Sequence, residues 1–508
     1  MNGPALDPSK ETSDLRCPIG LDQWVNWRHE GFTRLPVVYV ASSTTCPPTW
    51  ENFSRSPASV LLESAQSGRF TYLCDRPARL IIGRDRGADV WTGDGAVKIT
   101  TIAGDPLAVL KNILQKANAP RLPGWPAMSG GLMGVFGYDL VRTFERLPFS
   151  AKRDLTLPLY AMIETSELFV YDHPGRTLRI VAWTDTTIQD RPLAELFSEG
   201  CAVVNRAWKR WQQSLAATAS SSSSNESSRD VGIEVSFTPE AFKAAVRRAK
   251  EYIASGDTYQ VNLSLRRSQR TDASPIAIYE ALRRINPSPY MGLLRMPTFS
   301  LVCGSPELLV RLENGIVRSR PIAGTRPRGT EAVQNARLSC ELLANEKERA
   351  EHLMLVDLIR NDIGRVAEFG SVHVSEFMAV ENYSHVMHIV SQVEGRLASG
   401  QSWDCVLRAM FPGGTITGCP KIRTMEIIEE LEPVGRGFYT GALGWISYSG
   451  EMELNIVIRS MLVHEGVAYV QSGAGIVADS EPDRELDETN RKARALWLAL
   501  DEATRTNG

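Results

Sequence analysis

A serine-rich stretch from Ala216 to Asp230 (AATASSSSSNESSRD) constrains this chain more than any other segment. It holds too little apolar area to order itself, and it reads as a flexible linker or surface loop. Any core must therefore be built from the sequence on either side. At 508 residues the chain exceeds the size at which one hydrophobic core keeps growing, which leaves two domains or one large two-layer body. The division falls into an N-terminal region over 18–213, the linker over 214–232 and a second region over 233–503.

Apolar runs such as Leu35 to Ala41, Leu80 to Ile82 and Leu168 to Asp172, separated by Gly/Pro-rich turns, predict strands before the linker. After it, helices are expected over Pro239 to Ser255 (with Thr238 as N-cap), Asn345 to Asn361, Cys419 to Leu431 and Glu485 to Ala503. Strands are expected over Tyr259 to Arg266, Gly441 to Ser447, Glu453 to Val463 and Val467 to Ser472. Strands and helices mixed without a regular βαβ alternation point to an α+β body with largely antiparallel sheet. No sequence repeat is visible, although two strand-rich halves leave room for a pseudo-symmetric pair.

Charge narrows the function. With 56 basic against 59 acidic residues and a net charge of -3, the chain has no Lys/Arg-rich run to track phosphates, so nucleic acid is not an expected partner. The eight cysteines are scattered, without a Cys-x-x-Cys or a zinc spacing, as in a reduced cytosolic protein. Neither a secretory signal nor an apolar run of membrane-spanning length is present, and a cytoplasmic location without membrane contact is expected.

Two predicted helices carry paired carboxylates. Glu348 and Glu351 lie three apart and share a face, as do Glu485, Glu488 and Lys492. One such pair is ordinarily a solvated helix surface; two sets on separate helices are the ligand type that Mg2+ takes, and the lack of Cys or His clusters argues against zinc. Between them, Gly473 and Gly475 follow a strand and leave backbone N–H groups open to an anion, while Pro321 to Arg328 and Gly413 to Lys421 are two further Gly/Thr/basic turns. A lone Gly-x-Gly usually marks a turn or bulge. Three anion-friendly loops together are a stronger signal.

The segments PIAGTRPRG, NEKERAEHLMLVDLIRND, VMHIVSQVEG, FPGGTITGCPKIRTMEIIEELEP, YTGALGW and QSGAGIVADSEPDRELDETNRKARAL resemble the chorismate-binding enzyme family. The resemblance runs from about Phe237 to Leu500 and, more weakly, through Gly130 to Pro148. It implies a fold of two packed, largely antiparallel sheets enclosed by helices, like the large subunit of anthranilate synthase, with the active site in the C-terminal half. It implies that Glu351 and Glu488 are the Mg2+ carboxylates, with Glu348 and Glu485 close behind. Glu307 would be the acid that protonates the departing 4-hydroxyl, and hydroxide, a very poor leaving group, needs such help. Tyr439 and Arg459 would hold the enolpyruvyl carboxylate, where a guanidinium can make two parallel hydrogen bonds. Lys492, Gly473 and Gly475 would complete the anion pocket, with Ala323, Gly324 and Thr325 also at the substrate. His388 and Thr415 would stand beside the ring; on its own pattern His388 is an ordinary core histidine.

The resemblance also implies a branch. Water-using relatives carry a lysine base where this chain has Gln260, and ammonia needs no proton removed before attack, so ammonia is the expected nucleophile. Tyr259 to Ser264, Thr415 to Gly418 and Glu453 to Arg459 resemble the branch that aminates C4 of chorismate to 4-amino-4-deoxychorismate, for 4-aminobenzoate and folate synthesis. Ala323 points the other way, because many C4-aminating members have a lysine there and anthranilate-forming members have alanine. Leu62, Glu63 and Ser64, with Pro289, Tyr290 and Met291, resemble the elements that bind inhibitory tryptophan in the anthranilate branch. No Gly-x-Cys-x-Gly glutaminase elbow is present, so a separate glutamine amidotransferase subunit is the expected source of ammonia.

Overall fold

The computed structural model describes residues 15–53, 56–64, 68–92, 98–187, 191–216, 233–329, 331–382 and 386–506. Most of the serine-rich stretch, 217–232, lies outside the described residues. The first two residues of the 214–232 linker, Ser214 and Leu215, end the helix Leu193–Leu215. The fold is α+β, and the described residues form two antiparallel sheets of thirteen and twelve strands.

Each sheet is assembled from both sides of the linker. In the first, strand Ser59–Glu63 pairs with Tyr290–Met296, with Met291 opposite Glu63. In the second, Gly131–Phe136 pairs with Ala442–Ser447, with Gly444 opposite Gly134. Strands at these joints are apolar on both faces, because each face meets a different core. Val60 and Leu62 point between the sheets, where Met133, Ile163, Leu294 and Leu443 also pack. Leu61 points the other way, into the core that the first sheet shares with helices Leu193–Leu215 and Pro482–Thr506. The outer face of the second sheet is covered by helices Pro106–Ala117, Glu346–Gly364 and Trp403–Met410.

Local signals place most of the expected elements. Thr238 caps helix Pro239–Ala254 by accepting from the Ala241 N–H, and Asn345 caps Glu346–Gly364 by accepting from Glu348 N–H at 3.0 Å. Two expectations need correction. The helix expected from Cys419 begins at Lys421, because Gly418–Cys419 is a short strand paired with Gln260 and Val261 and Pro420 opens the helix. The single strand expected over Glu453 to Val463 is two, Met452–Ile456 in the second sheet and Ser460–His464 in the first. Arg459 between them adopts φ +50°, a left-handed conformation that ends a strand. Among the described residues no helix is long and apolar enough to cross a membrane.

The second joint has no room for a side chain on its central pair. A Cβ at Gly444 would meet the Glu453 carbonyl oxygen at 2.0 Å, which is backbone of the neighbouring strand. Gly444→Ala is expected to force the strands apart and destabilise the protein by about 1–3 kcal/mol. The check is the urea unfolding midpoint against wild type, and an unchanged midpoint would mean that the strands accommodate the methyl group.

Candidate active site

Of the places where the chain passes between the two sheets, two lie side by side, and the candidate residues gather there. Glu307 lies between Phe299–Ser305 of the first sheet and Leu308–Glu313 of the second. Arg459 lies on the return crossing after Met452–Ile456. The crossings bond to each other: Gly304 N–H donates to the Arg459 carbonyl and Ile456 N–H to the Glu307 carbonyl, both at 3.0 Å. Thr440, beside Tyr439, has φ +61°, and its N–H donates to Val457 at 2.8 Å. Two non-glycine residues held in left-handed backbone are the local strain that active sites often store.

Strands Gln260–Arg270 and Val467–Ile476 form one wall, with Asn262 opposite Gly475 and Ser264 opposite Gly473. A Cβ at Gly475 would meet Gln260 Nε2 at 2.3 Å, and one at Gly473 would meet Asn262 Oδ1 at 2.8 Å. The glycines therefore let the two amides lie against the strand. Lys492 Nζ donates to the Gly473 carbonyl at 3.0 Å and pairs with Glu488 at 2.8 Å.

The four glutamates come from the two predicted helices. Burial raises the Glu351 pKa, and the charges of Glu348 and Glu488 raise it further. Glu485 is raised by burial and by Glu488, against a hydrogen bond from Ser480. Carboxylates of separate helices thus share one field. Two of them have basic neighbours, Arg326 on Glu348 at 3.1 Å and Lys492 on Glu488, whereas Glu351 has no ion pair among the described residues. Also among the described residues, no three His, Cys, Asp or Glu side chains converge into a ready-made ion cage. An all-oxygen, electrostatically crowded set with few converging ligands fits a hard divalent ion that takes its remaining ligands from substrate and water.

Glu307 is joined to this cluster electrostatically through Lys492, the partner of Glu488. Burial pushes its pKa up to about 7, while Thr415 and Lys492 hold it down. Thr415 Oγ1 sits on the turn Gly414–Ile416 beside that carboxyl, yet has no partner in full hydrogen-bond geometry among the described residues. His388 Nδ1 meets the Gly324 carbonyl at 2.9 Å, and burial lowers its pKa, which favours the neutral ring. Gly324 sits at a bulge between Ala323 and Thr325 in the edge strand Ile322–Pro327, next to Glu348. Ala323 is buried. Burial raises the Tyr439 pKa and lowers that of Arg459, and the two side chains feel each other's charge.

The residues that tie these parts together escaped the sequence reading. Arg436 is buried and donates to Glu432, to the carbonyls of Ile416 (2.9 Å) and Asn262 (2.7 Å), and to Thr440 Oγ1 at 3.3 Å. Its plane lies near the rings of Tyr138 and Tyr439. Glu432 also accepts from Ser264 N–H and Oγ at 2.8 Å. The only advance signal was a Glu and an Arg four apart within an apolar stretch, a pattern that surface helices share.

The six residues likened to a tryptophan site also come together. Leu62, Glu63, Ser64, Pro289, Tyr290 and Met291 line one cavity of about 560 Å³, with Arg311, Glu453 and Asn455 on its other side. Glu63 within it is held by Tyr279 at 2.5 Å and Arg283 at 2.9 Å. Asn455 links this cavity to the crossings, donating to the Tyr290 carbonyl at 3.4 Å just before Ile456.

Glu307 gives a test of this electrostatic picture. A carboxyl whose folded pKa is about 7, against an ordinary 4.5, favours the folded state fully below about pH 4.5, and that contribution is lost as pH rises through 7. Glu307→Gln, neutral at every pH, is therefore expected to gain stability over wild type by up to about 3 kcal/mol between about pH 5 and about pH 9. Urea unfolding at the two pH values checks it; a stability difference that does not change with pH would place Glu307 in a wetter environment.

Known proteins extend this picture. The profile described as chorismate binding enzyme matches residues 58–497. Aminodeoxychorismate synthase component 1 of Bacillus subtilis (strain 168) is 42% identical over 442 residues, covering 87% of this chain and 91% of that protein. Anthranilate synthase component 1 of Acetivibrio thermocellus is 40% identical over 463 residues, covering 89% and 92%. The crystal structure of anthranilate synthase component I from Streptococcus pneumoniae TIGR4 superposes with a TM-score of 0.71 at 32% identity, covering 84% of this chain and 92% of that one. The menaquinone-specific isochorismate synthase MenF of Escherichia coli, with a TM-score of 0.64 at 16% identity over 94% and 98% of the two chains, shares the fold. Because the match runs through both crossings, the glycine wall and both glutamate helices, the chain belongs to the chorismate-binding enzyme family.

Proposed function

We propose that this enzyme aminates chorismate with ammonia at C4, releasing water and forming 4-amino-4-deoxychorismate. The observation that carries this reading is Glu307, a buried carboxyl with a pKa pushed up to about 7, set between Thr415 and Lys492. Such a group is substantially protonated near neutral pH and suits general-acid catalysis. Its proton goes to the 4-hydroxyl as the C–O bond breaks and water departs. The nitrogen lone pair forms the new C–N bond, and the proton shed by that nitrogen restores the carboxyl. Gln260 stands where a base would be needed for water, and ammonia attacks without one.

Arg459 and Tyr439 would orient the enolpyruvyl carboxylate, and the backbone at Gly473 and Gly475, with Lys492, would receive the other anionic end. His388 and Thr415 would flank the ring, bounded by Ala323, Gly324 and Thr325. Glu351 and Glu488 would hold Mg2+, with Glu348 and Glu485 nearby; when bound, the ion neutralises and fixes the ring carboxylate. Ammonia would come from a separate glutamine amidotransferase subunit in the cytoplasm. The 560 Å³ cavity is the proposed place for a tryptophan-like effector.

A second reading, formation of anthranilate and pyruvate, is favoured by one residue. Ala323 offers no amine, so any C4 amination must proceed without a covalent intermediate at this position. Incubating the pure chain with chorismate, Mg2+ and an ammonium salt, then adding an aminodeoxychorismate lyase, separates the two. Formation of 4-aminobenzoate only after the lyase is added is the expected outcome; clean 2-aminobenzoate without the lyase, with all activity lost in Ala323→Lys, would establish the second reading instead. Glutamine should not replace ammonium when the chain is alone.

Removing a metal carboxylate should stop turnover without unfolding the chain. Glu351→Gln and Glu488→Gln are each expected to reduce kcat by about a hundredfold or more, with unchanged circular dichroism. EDTA should abolish wild-type activity and Mg2+ restore it. Substantial turnover by either variant would remove that residue from the metal site.

A further inference from the structure

Two buried amide oxygens in the glycine-walled site have no hydrogen-bond donor among the described residues, Gln260 Oε1 and Asn262 Oδ1. Their residues are only 4% and 6% exposed, so bulk water does not satisfy them. They are alternate residues of strand Gln260–Arg270 and share a face. Val261 and Leu263 point the opposite way, into the apolar cluster beneath helices Pro239–Ala254 and Lys421–Leu431. The Gln260 amide lies over Gly475 and the Asn262 amide over Gly473. The position of Asn262 is also fixed by its backbone. Its N–H donates to the Thr417 carbonyl at 2.8 Å and its carbonyl accepts from Arg436 at 2.7 Å.

Neighbouring acceptors with no donor call for a ligand rich in N–H or O–H. The carboxylates of chorismate cannot supply one, being acceptors only. Ammonia brings three N–H donors and keeps a lone pair for attack. We propose that Gln260 Oε1 and Asn262 Oδ1 together form the ammonia subsite, each accepting one N–H and leaving the lone pair directed away from the strand toward the substrate. This inference rests on the amination reading above. It adds Asn262 as a residue that recognises the nucleophile, with no proton transfer of its own.

The test uses the full chain with Mg2+ and chorismate, ammonium chloride as the probe, and aminated product measured by mass spectrometry at one pH. Asn262→Leu keeps the side-chain bulk without an acceptor, and it is expected to raise the KM for ammonium about tenfold or more. The KM for chorismate should stay within about twofold. Asn262→Asp keeps an acceptor in place and should remain within about threefold of wild type for ammonium. Should the leucine variant fail to melt cooperatively, Asn262→Ala carries the same expectation. An unchanged ammonium KM in an acceptor-free variant, or a chorismate KM that rises in step, overturns the subsite while leaving the amination reading intact. A wild-type chain that forms no aminated product overturns both.

Discussion

A chain that leaves one sheet for another must find new partners for its backbone polar groups, because buried N–H and C=O groups are costly to leave unpaired. Here the two crossings solve this for each other, Gly304 bonding to Arg459 and Ile456 to Glu307. Glu307, the general-acid candidate, and Arg459, the arginine proposed to bind a carboxylate, are thereby placed by backbone rather than by flexible side chains. Their relative position depends on the stacking of the sheets, and that depends on the apolar layer holding Leu62, Met133, Leu294 and Leu443. The site inherits the rigidity of the core.

The buried pair Arg436 and Glu432 acts at the next level. A guanidinium taken out of water is tolerable only when its donors are satisfied, and Arg436 spends them on the two backbone walls, on Thr440 and on Glu432. Breaking comparable buried pairs by removing one partner typically costs about 3–5 kcal/mol. In this protein the same bonds also set the distance between the Gln260 strand, the Thr415 turn and Tyr439. Stability and active-site geometry therefore rest on one side chain.

Much of this was legible in the residues. Thr238 announced its helix by capping chemistry, and glutamates three apart had to share a face. The six residues likened to an effector site do meet in one cavity. What was not legible was where the chain changes sheets. Glu453 to Val463 is continuously strand-like in composition, and nothing local in Val457 or Ile458 signals that Arg459 turns left-handed. The buried state of Glu432 and Arg436 was hidden for the same reason, since charged residues four apart look alike on a wet helix and in a core. Only the long-range pairing of strands decides between the two.

The composition of each sheet from both ends of the sequence has a consequence for biosynthesis. Ser59–Glu63 and Gly131–Phe136 are made early, yet their partners Tyr290–Met296 and Ala442–Ser447 leave the ribosome much later. Domains usually complete themselves in the order of synthesis, but here the early strands must wait with apolar faces and open edges. Contacts so distant in sequence are slow to form, and an unpaired apolar edge is a template for other chains. For this protein the hazardous interval is set by translation, and it ends only when the last strands of the C-terminal region have been released.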